Sequence, residues 1–412
     1  MAQTYWQKLR SIAALFLRLG IIGFGGPLAH IGLMEDAYVK RRQWTTREEF
    51  LEGLAVCNLL PGPTSTQLSI YLGYLYGGIP GGLVSGTCFI APAFVLVLIL
   101  SWAYIQYGAL PAVDALFVGI GPVVVAIIVN TLYRSSKTAL TTISSWCIGI
   151  LACVFTVLPL LPPSFNLVTI LLLSGLVGML IYGRPHQSSA TPKTTDVSEP
   201  TEQKDEPSNH KGTLKSIAFS PLLAAKTLVY ALPTAAVSLV TLSLVFVKIG
   251  LLMFGGGLVV APLLQQELVD GPHWLTTRQL LDGLALGQLT PGPVTVVATF
   301  AGYAVSGVTG AIVATVSVFL PSFILVLSLT PLLRRIRNAP LAKAFLKGIT
   351  AGALGAIAAA AILLGRLAIV DVLTAAIAFV SLLLLLRWNV NTIFLIAGAA
   401  LIGLVRMVVV GG

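Results

Sequence analysis

Leu60-Pro61-Gly62-Pro63-Thr64 is a helix breaker set inside an apolar run, and the chain repeats it as Thr290-Pro291-Gly292-Pro293-Val294. Proline lacks an N–H and clashes with the preceding turn, and glycine adds backbone freedom, so a helix entering either triplet must stop and restart. In a membrane, such irregular backbone is tolerated only where protein or a water-filled cavity surrounds it. The breaks therefore mark a candidate binding site.

The rest of the composition requires that membrane. Of 412 residues, 56% are hydrophobic and only 10% charged, with a mean hydropathy of +0.93, whereas a soluble domain carries about 25% charged residues. Apolar segments long enough to span a bilayer recur along the chain, too many for a targeting peptide. Ser11 to Ile22 carries Arg18 and is followed by no Ala-x-Ala site, so it reads as retained. The expected fold is an all-α polytopic membrane protein. Cys57, Cys88, Cys147 and Cys153 lie in apolar surroundings without C-x-x-C spacing, which argues against a thiolate metal site or a disulfide framework.

Outward from the breaks, the chain divides into three. Residues 1–184 form a first membrane repeat, with apolar helices expected near 83–106, 112–133, 140–160 and 166–182. Residues 185–220 are rich in Ser, Thr, Pro, Lys, Asp and Glu and read as a disordered linker. Residues 221–412 hold a connecting helix near 221–245 and a second repeat. Shifting 20–63 by 230 matches 250–293 without a gap, with 17 of 44 positions identical. The identities include Phe24-Gly25-Gly26 with Phe254-Gly255-Gly256, Gly53-Leu54-Ala55 with Gly283-Leu284-Ala285, and both Pro-Gly-Pro triplets. Beyond this the shift becomes 229. The chain is an internal duplication.

Charge sets the expected orientation. The loop with Lys40, Arg41, Arg42 and Arg47 is basic in the first copy but not in the second, whereas Arg334, Arg335, Arg337 and Lys343 have no basic counterparts near 104–114. Positive charge marks the cytoplasmic side, so equivalent loops lie on opposite faces and the halves are inverted. With the N-terminus and linker cytoplasmic and Gly412 external, both the 40–47 loop and the Arg134/Lys137 loop fall inside if each broken segment is a re-entrant hairpin.

Inverted halves with broken helices suit a secondary transporter, whose half-helix N-termini aim N–H groups at an anion. Near the breaks sit Asn58, Thr64, Ser65, Thr66 and Gln67 in the first copy and Gln288, Thr290 and Thr295 in the second. Their hydroxyl and amide donors suit an oxyanion, although capping of the restarted helix is the alternative role. Arg18 and Lys248 stand six residues before each Phe-Gly-Gly. Both are candidate intramembrane cations, or else snorkel to the interface. Glu52 and Asp282 are matched carboxylates before Gly-Leu-Ala and are candidates for proton coupling, with Glu35 a third acid present only in the first copy. His30 faces Val260 in the duplication and carries no expectation.

Phe24-Gly25-Gly26-Pro27 followed by Leu60-Pro61-Gly62-Pro63-Thr64, repeated as Phe254-Gly255-Gly256 and Thr290-Pro291-Gly292-Pro293, resembles the chromate ion transporter family in its long, two-domain form. The resemblance covers both halves. It implies inverted homologous repeats and efflux of chromate across the bacterial inner membrane, conferring resistance, with proton antiport as energy source and sulfate as competitor. It implies no cofactor, no nucleic acid and no enzyme activity, with lipid as the surrounding partner and a homodimer left open. Sulfate-like anion uptake, exchange or a channel is the alternative, and an intramembrane enzyme acting on a phosphorylated lipid a remote one. Within this reading the expected oxyanion site comprises Arg18, Phe24, Gly25, Gly26, Asn58, Pro61 to Gln67, Lys248, Gly255, Gly256, Gln288, Thr290 to Pro293 and Thr295. Gly257 in place of Pro27 and Thr290 in place of Leu60 mean that the halves need not contribute equally, and the first is expected to hold more of the site.

Overall fold

The computed structural model describes residues 4–108, 110–158, 167–183, 238–254, 257–336, 340–388 and 390–410. All regular structure among them is helical, and five helices are long and apolar enough to cross a membrane. The first copy supplies α1 (Tyr5–Ile22), α2 (Gly26–Glu35, continued by a π-helical turn Asp36–Arg41), α3 (Arg47–Leu59), α4 (Thr64–Tyr107), α5 (Pro111–Ala139), α6 (Ile143–Val157) and α7 (Leu167–Tyr182). The same order returns as α8 (Leu239–Leu252), α9 (Val260–Leu264, between a 3₁₀ turn and a π-helical turn Gln265–Asp270), α10 (Thr277–Leu289), α11 (Val297–Ile336), α12 (Pro340–Ala368), α13 (Val372–Trp388) and α14 (Thr392–Val410). The linker and residues 221–237 lie outside the described residues. Residues 239–245, the described end of the helix expected at 221–245, lie in Leu239–Leu252, which is the counterpart of α1.

Each broken segment is a helical hairpin. α1 runs to Gly23, where an inverse γ-turn bonds the Phe24 N–H to the Ile22 carbonyl at 3.0 Å. The chain then reverses through Gly25, at φ +101°. α2 and its π-helical turn return beside α1, which brings the Tyr38 ring to 5.7 Å from Phe16 and Arg42 onto the Ser11 carbonyl. Met253 makes the same turn in the second copy, bonding Phe254 N–H to the Leu252 carbonyl at 2.9 Å.

The second hairpin of each repeat has Pro-Gly-Pro at its tip. α3 starts on a capping box in which Thr46 and Glu49 satisfy each other's backbone N–H, and α10 starts on its equivalent, Thr276 with Gln279. Both end where the prolines forbid continuation. The first arm of α4, residues 64–77, returns antiparallel to α3 with Gly53 against the Tyr71 ring, and Gly283 lies against Phe300 in the same way. α4 then folds back on itself at Gly78 (φ 65°, ψ −158°), so that Ser85 Oγ reaches the Ser69 carbonyl at 2.8 Å. α11 reverses at Gly307 (φ 61°, ψ −149°), and there Thr299 bonds Thr315 at 2.7 Å. A 13-residue α3 is about 20 Å long, short of the ~30 Å hydrocarbon core of a bilayer. Neither arm of this hairpin can span alone.

The repeats interlock. The outer arms of α4 and α11 run antiparallel, with Gly82 against Leu327 and Gly86 against Phe323. α5 packs on α14, where a methyl at Gly119 would meet the Ala399 carbonyl at 2.1 Å and one at Gly403 the Ala115 carbonyl at the same distance. The equivalent helices α12 and α7 approach through Gly348 and Ser174. Such close backbone approach is how helices associate where lipid removes the hydrophobic drive. Because α4 and its own counterpart α11 are antiparallel, the two-fold relating the repeats lies across the helices. Residues 1–183 and 237–412 form one compact unit.

A candidate anion site where the helix breaks meet

The tips of the hairpins touch across the repeats. Gly62 donates its N–H to the Met253 carbonyl at 2.7 Å, and Gly292 donates to the Gly23 carbonyl at 2.7 Å. The 230-residue shift exchanges these two bonds. Each Pro-Gly-Pro tip is thus pinned to the Phe-Gly-Gly break of the other repeat. Gly62 and Gly292 sit at φ +130° and +100°, which only glycine adopts readily. The carbonyls are free to accept because the γ-turns have ended their helices.

At each tip a helix begins, and proline at the N-cap (Pro63, Pro293) provides no capping side chain. In the first repeat Gln67 N–H is already bonded to the Pro63 carbonyl at 3.0 Å, while the N–H groups of Thr64, Ser65 and Thr66 precede the intrahelical ladder. Orphan N–H groups at the positive end of a helix dipole favour an anion.

The polar side chains around the tips are unequal. Ser65, Thr66 and Gln67 are buried, and neither Thr66 Oγ1 nor Gln67 Oε1 has a hydrogen-bond partner. Gln67 Nε2 donates to the Pro61 carbonyl at 2.6 Å, tying the side chain across its own tip. In the second repeat Thr290 is spent on the Gly287 carbonyl and Thr295 faces the Met253 sulfur. Phe24, Gly26, Pro61, Thr64 and Gln288 are half-buried, Gly25 and Asn58 are exposed, and Pro291 and Pro293 are buried. Gly255 and Gly256 lie outside the described residues.

The charged candidates do not converge on the tips. Arg18 lines a concavity of about 130 Å³ with Asp36, Arg41 and Arg42, and none of residues 61–64 lines it. Lys248 is held by Glu267 at 2.6 Å, a carboxylate that replaces Ala37 of the first copy. Glu35 pairs with Arg47 at 3.5 Å. The matched acids also differ: Glu52 is half-buried, whereas Asp282 is 3% exposed. Asp282 Oδ2 accepts the Tyr104 hydroxyl at 2.8 Å and lies 3.5 Å from Arg278, which itself holds Asp114 at 3.0 Å. Asp282 precedes Pro291 by nine positions, about 13 Å of helical rise, so it stands back from the tip.

Three residues at these places had no sequence signal. Ser322 of α11 is buried with its hydroxyl unpartnered, and a methyl placed on Gly62 would lie 2.3 Å from that oxygen. His30, 1% exposed, donates Nε2–H to the Gly23 carbonyl at 2.9 Å, the same oxygen that receives Gly292. Tyr104 reaches across repeats to Asp282. Each is remote in sequence from what it touches, or has an apolar counterpart in the duplication, so neither motif nor repeat matching could single it out.

The comparisons with known proteins follow the same two halves. The family model described as Chromate transporter matches residues 10–179 and 240–404. A chromate transport protein of Cupriavidus metallidurans is 36% identical over 98% of this chain and 94% of its own length. A probable chromate transport protein of Synechococcus elongatus is 33% identical over 91% and 89%, and a chromate transport protein of Pseudomonas aeruginosa 32% identical over 85% and 79%. No solved structure matches the chain significantly. With its apolar helices, paired repeats and family match across both of them, this chain is a multi-pass membrane protein that belongs to the chromate transporter family.

Proposed function

We propose that the chain is a secondary transporter that exports chromate across the bacterial inner membrane, coupled to proton entry, and so gives chromate resistance. The observation that carries this reading is the pair of reciprocal bonds, Gly62 to Met253 and Gly292 to Gly23, in a chain whose near-full-length relatives include a chromate transport protein. Two half-helix tips approaching one another from antiparallel repeats form a barrier that can part toward either face, which is what alternating access requires. In this reading Lys40, Arg41 and Arg42 lie on the cytoplasmic side with the N-terminus and linker, and the C-terminus is external.

The anion is held mainly at the first repeat's tip, by backbone N–H groups and the hydroxyls of Thr64, Ser65 and Thr66, with the second copy's Thr290 and Thr295 opposite. Arg18, with Arg41 and Arg42, gathers the anion at the mouth of the first hairpin. Asp282, with Glu52 as its weaker counterpart and Glu35 at the surface, carries the coupled proton. Sulfate, a tetrahedral dianion of similar shape, competes.

Chromate flux in proteoliposomes of the purified protein, with and without an imposed pH gradient and with sulfate present, tests this. Gradient-driven accumulation is expected. Downhill flux indifferent to the gradient would make the protein an anion exchanger or channel and remove the proton role from Asp282 and Glu52.

A further inference from the structure

The repeats are equivalent in fold, but their two tips are not equivalent in chemistry. Around Gly62 stand two fully buried side chains with unpartnered oxygens, Gln67 and Ser322, and Thr66 one residue before Gln67 is a third buried, unpartnered hydroxyl on the same helix start. Ser322 comes from the other repeat, and a methyl on Gly62 would lie 2.3 Å from its Oγ and 2.6 Å from Gln67 Nε2, so both side chains close on the same glycine. Around Gly292 the places that match Ser322 and Gln67 are apolar. Ala93 stands where the 229-residue shift puts Ser322, and its Cβ is the group nearest a methyl on Gly292. Val296 and Val297, both buried, stand where the second repeat would need Gln67.

A buried hydroxyl or amide oxygen without a partner has lost its bonds to water and gained none in return. Two such groups at one glycine, with Thr66 on the same helix start whose first N–H groups have no capping side chain, are a standing cost that a bound ligand would relieve. The orientation of Gln67 is fixed: the Pro61 carbonyl can only accept, so it must face the NH₂, and Oε1 is left as an acceptor with nothing donating to it. A fully ionised tetrahedral anion has no proton to offer that oxygen. A monoprotonated one has a single hydroxyl, while its other oxygens suit the Ser322 and Thr66 hydroxyls and the helix N–H groups.

We propose that the chain holds its anion at one tip only, that of the first repeat, completed by Ser322 from the second, and that Gln67 Oε1 accepts the proton of a monoprotonated tetrahedral oxyanion. Hydrogen chromate is a weak acid and hydrogen sulfate a strong one, so near neutral pH the first is present and the second is not. The site therefore separates two anions of the same shape by protonation. Because the Gly62 to Met253 bond closes this tip, that bond opens when the anion enters. The inference deepens the transport reading and rests on it.

The test is initial-rate chromate uptake by proteoliposomes of the full chain, with sulfate as competitor, for wild type, Ser322→Ala, Ala93→Ser and Gln67→Met, with thermal unfolding of each variant alongside. Ser322→Ala is expected to raise the chromate KM about tenfold, the loss of a hydrogen bond to a charged group. Its thermal midpoint should be unchanged or raised, since an unpaired hydroxyl has been removed. A residue serving only structure would move the midpoint and leave KM alone. Ala93→Ser should leave KM unchanged. Gln67→Met should make sulfate a better competitor relative to chromate by about fivefold or more, and should abolish any rise of the chromate KM between pH 6 and pH 8. Equal effects of Ser322→Ala and Ala93→Ser, or unchanged selectivity in Gln67→Met, would overturn the proposal while transport itself stands. Absence of chromate flux in the wild type would instead overturn the transport reading on which it rests.

Discussion

Gly62 and Met253 are joined by a 2.7 Å backbone hydrogen bond across the two repeats, and their counterparts Gly292 and Gly23 are joined by another of the same length. A contact in which i meets j and j's equivalent meets i's equivalent is the mark of a two-fold interface. Here the interface is folded into one chain, and the residues on its axis are those that interrupt the helices. The same four positions therefore hold the repeats together and, in the proposed transport reading, close the route between them.

Replacing either tip glycine tests that double role. Alanine at Gly62 or Gly292 must adopt a positive φ at a cost of about 1–2 kcal/mol, but the space around the two differs. At Gly62 the new methyl meets Ser322 and Gln67, at Gly292 the Ala93 methyl at 2.9 Å. Gly62→Ala should lower the unfolding midpoint more than Gly292→Ala and abolish chromate flux, whereas Gly292→Ala should keep a measurable fraction. Thermal unfolding in detergent and proteoliposome flux give both numbers.

The two equivalent cations should behave differently. Lys248→Gln leaves Glu267, whose side chain is 13% exposed, without its partner, and should destabilise the protein by about 1–3 kcal/mol, between the values for exposed and buried pairs. Arg18→Gln breaks no ion pair among the described residues, so its midpoint should stay at the wild-type value while the chromate KM rises and becomes less sensitive to salt. A matched pair of thermal and salt-dependent flux measurements separates the roles.

Tyr104 and Asp282 belong to different repeats, and their bond is one that proton coupling would have to use or break. Tyr104→Phe removes a hydroxyl donated to a buried carboxylate, a contact of about 1.5–3 kcal/mol, and should lower the unfolding midpoint. Asp282→Asn should leave downhill chromate flux measurable but make it indifferent to an imposed pH gradient. Glu52→Gln should retain most of the gradient response.

Gly53 and Gly283 pack against Tyr71 and Phe300, rings that are fully buried. Alanine at either would place a methyl 2.2–2.3 Å from ring carbons, and relief by backbone shift should cost about 1–3 kcal/mol. Equal destabilisation of the two variants in thermal unfolding is expected, since the hairpins are built alike. Ala55, two residues on and exposed, is a control position for serine substitution, which should cost less.

The sequence alone determined the class, the duplication and the places where helices break. Those properties are local or periodic: 56% apolar residues require a membrane, prolines 61, 63, 291 and 293 stop helices wherever they stand, and a fixed shift exposes a repeat. The expectation of inverted halves has the same kind of source, because Lys40, Arg41 and Arg42 answer to a rule about loops and not to a tertiary contact. Only the tertiary structure decided which groups face one another. Nothing in the order of residues joins Gly62 to Met253, Tyr104 to Asp282 or Ser322 to Gly62, since each pair comes from different repeats. Arg18 and Lys248 looked alike along the chain, yet one lines an arginine-rich concavity while the other is held by Glu267. A duplicated sequence specifies two equivalent scaffolds. The chemistry at their junction is set by substitutions on opposite sides of it, and these become neighbours only when the halves pack.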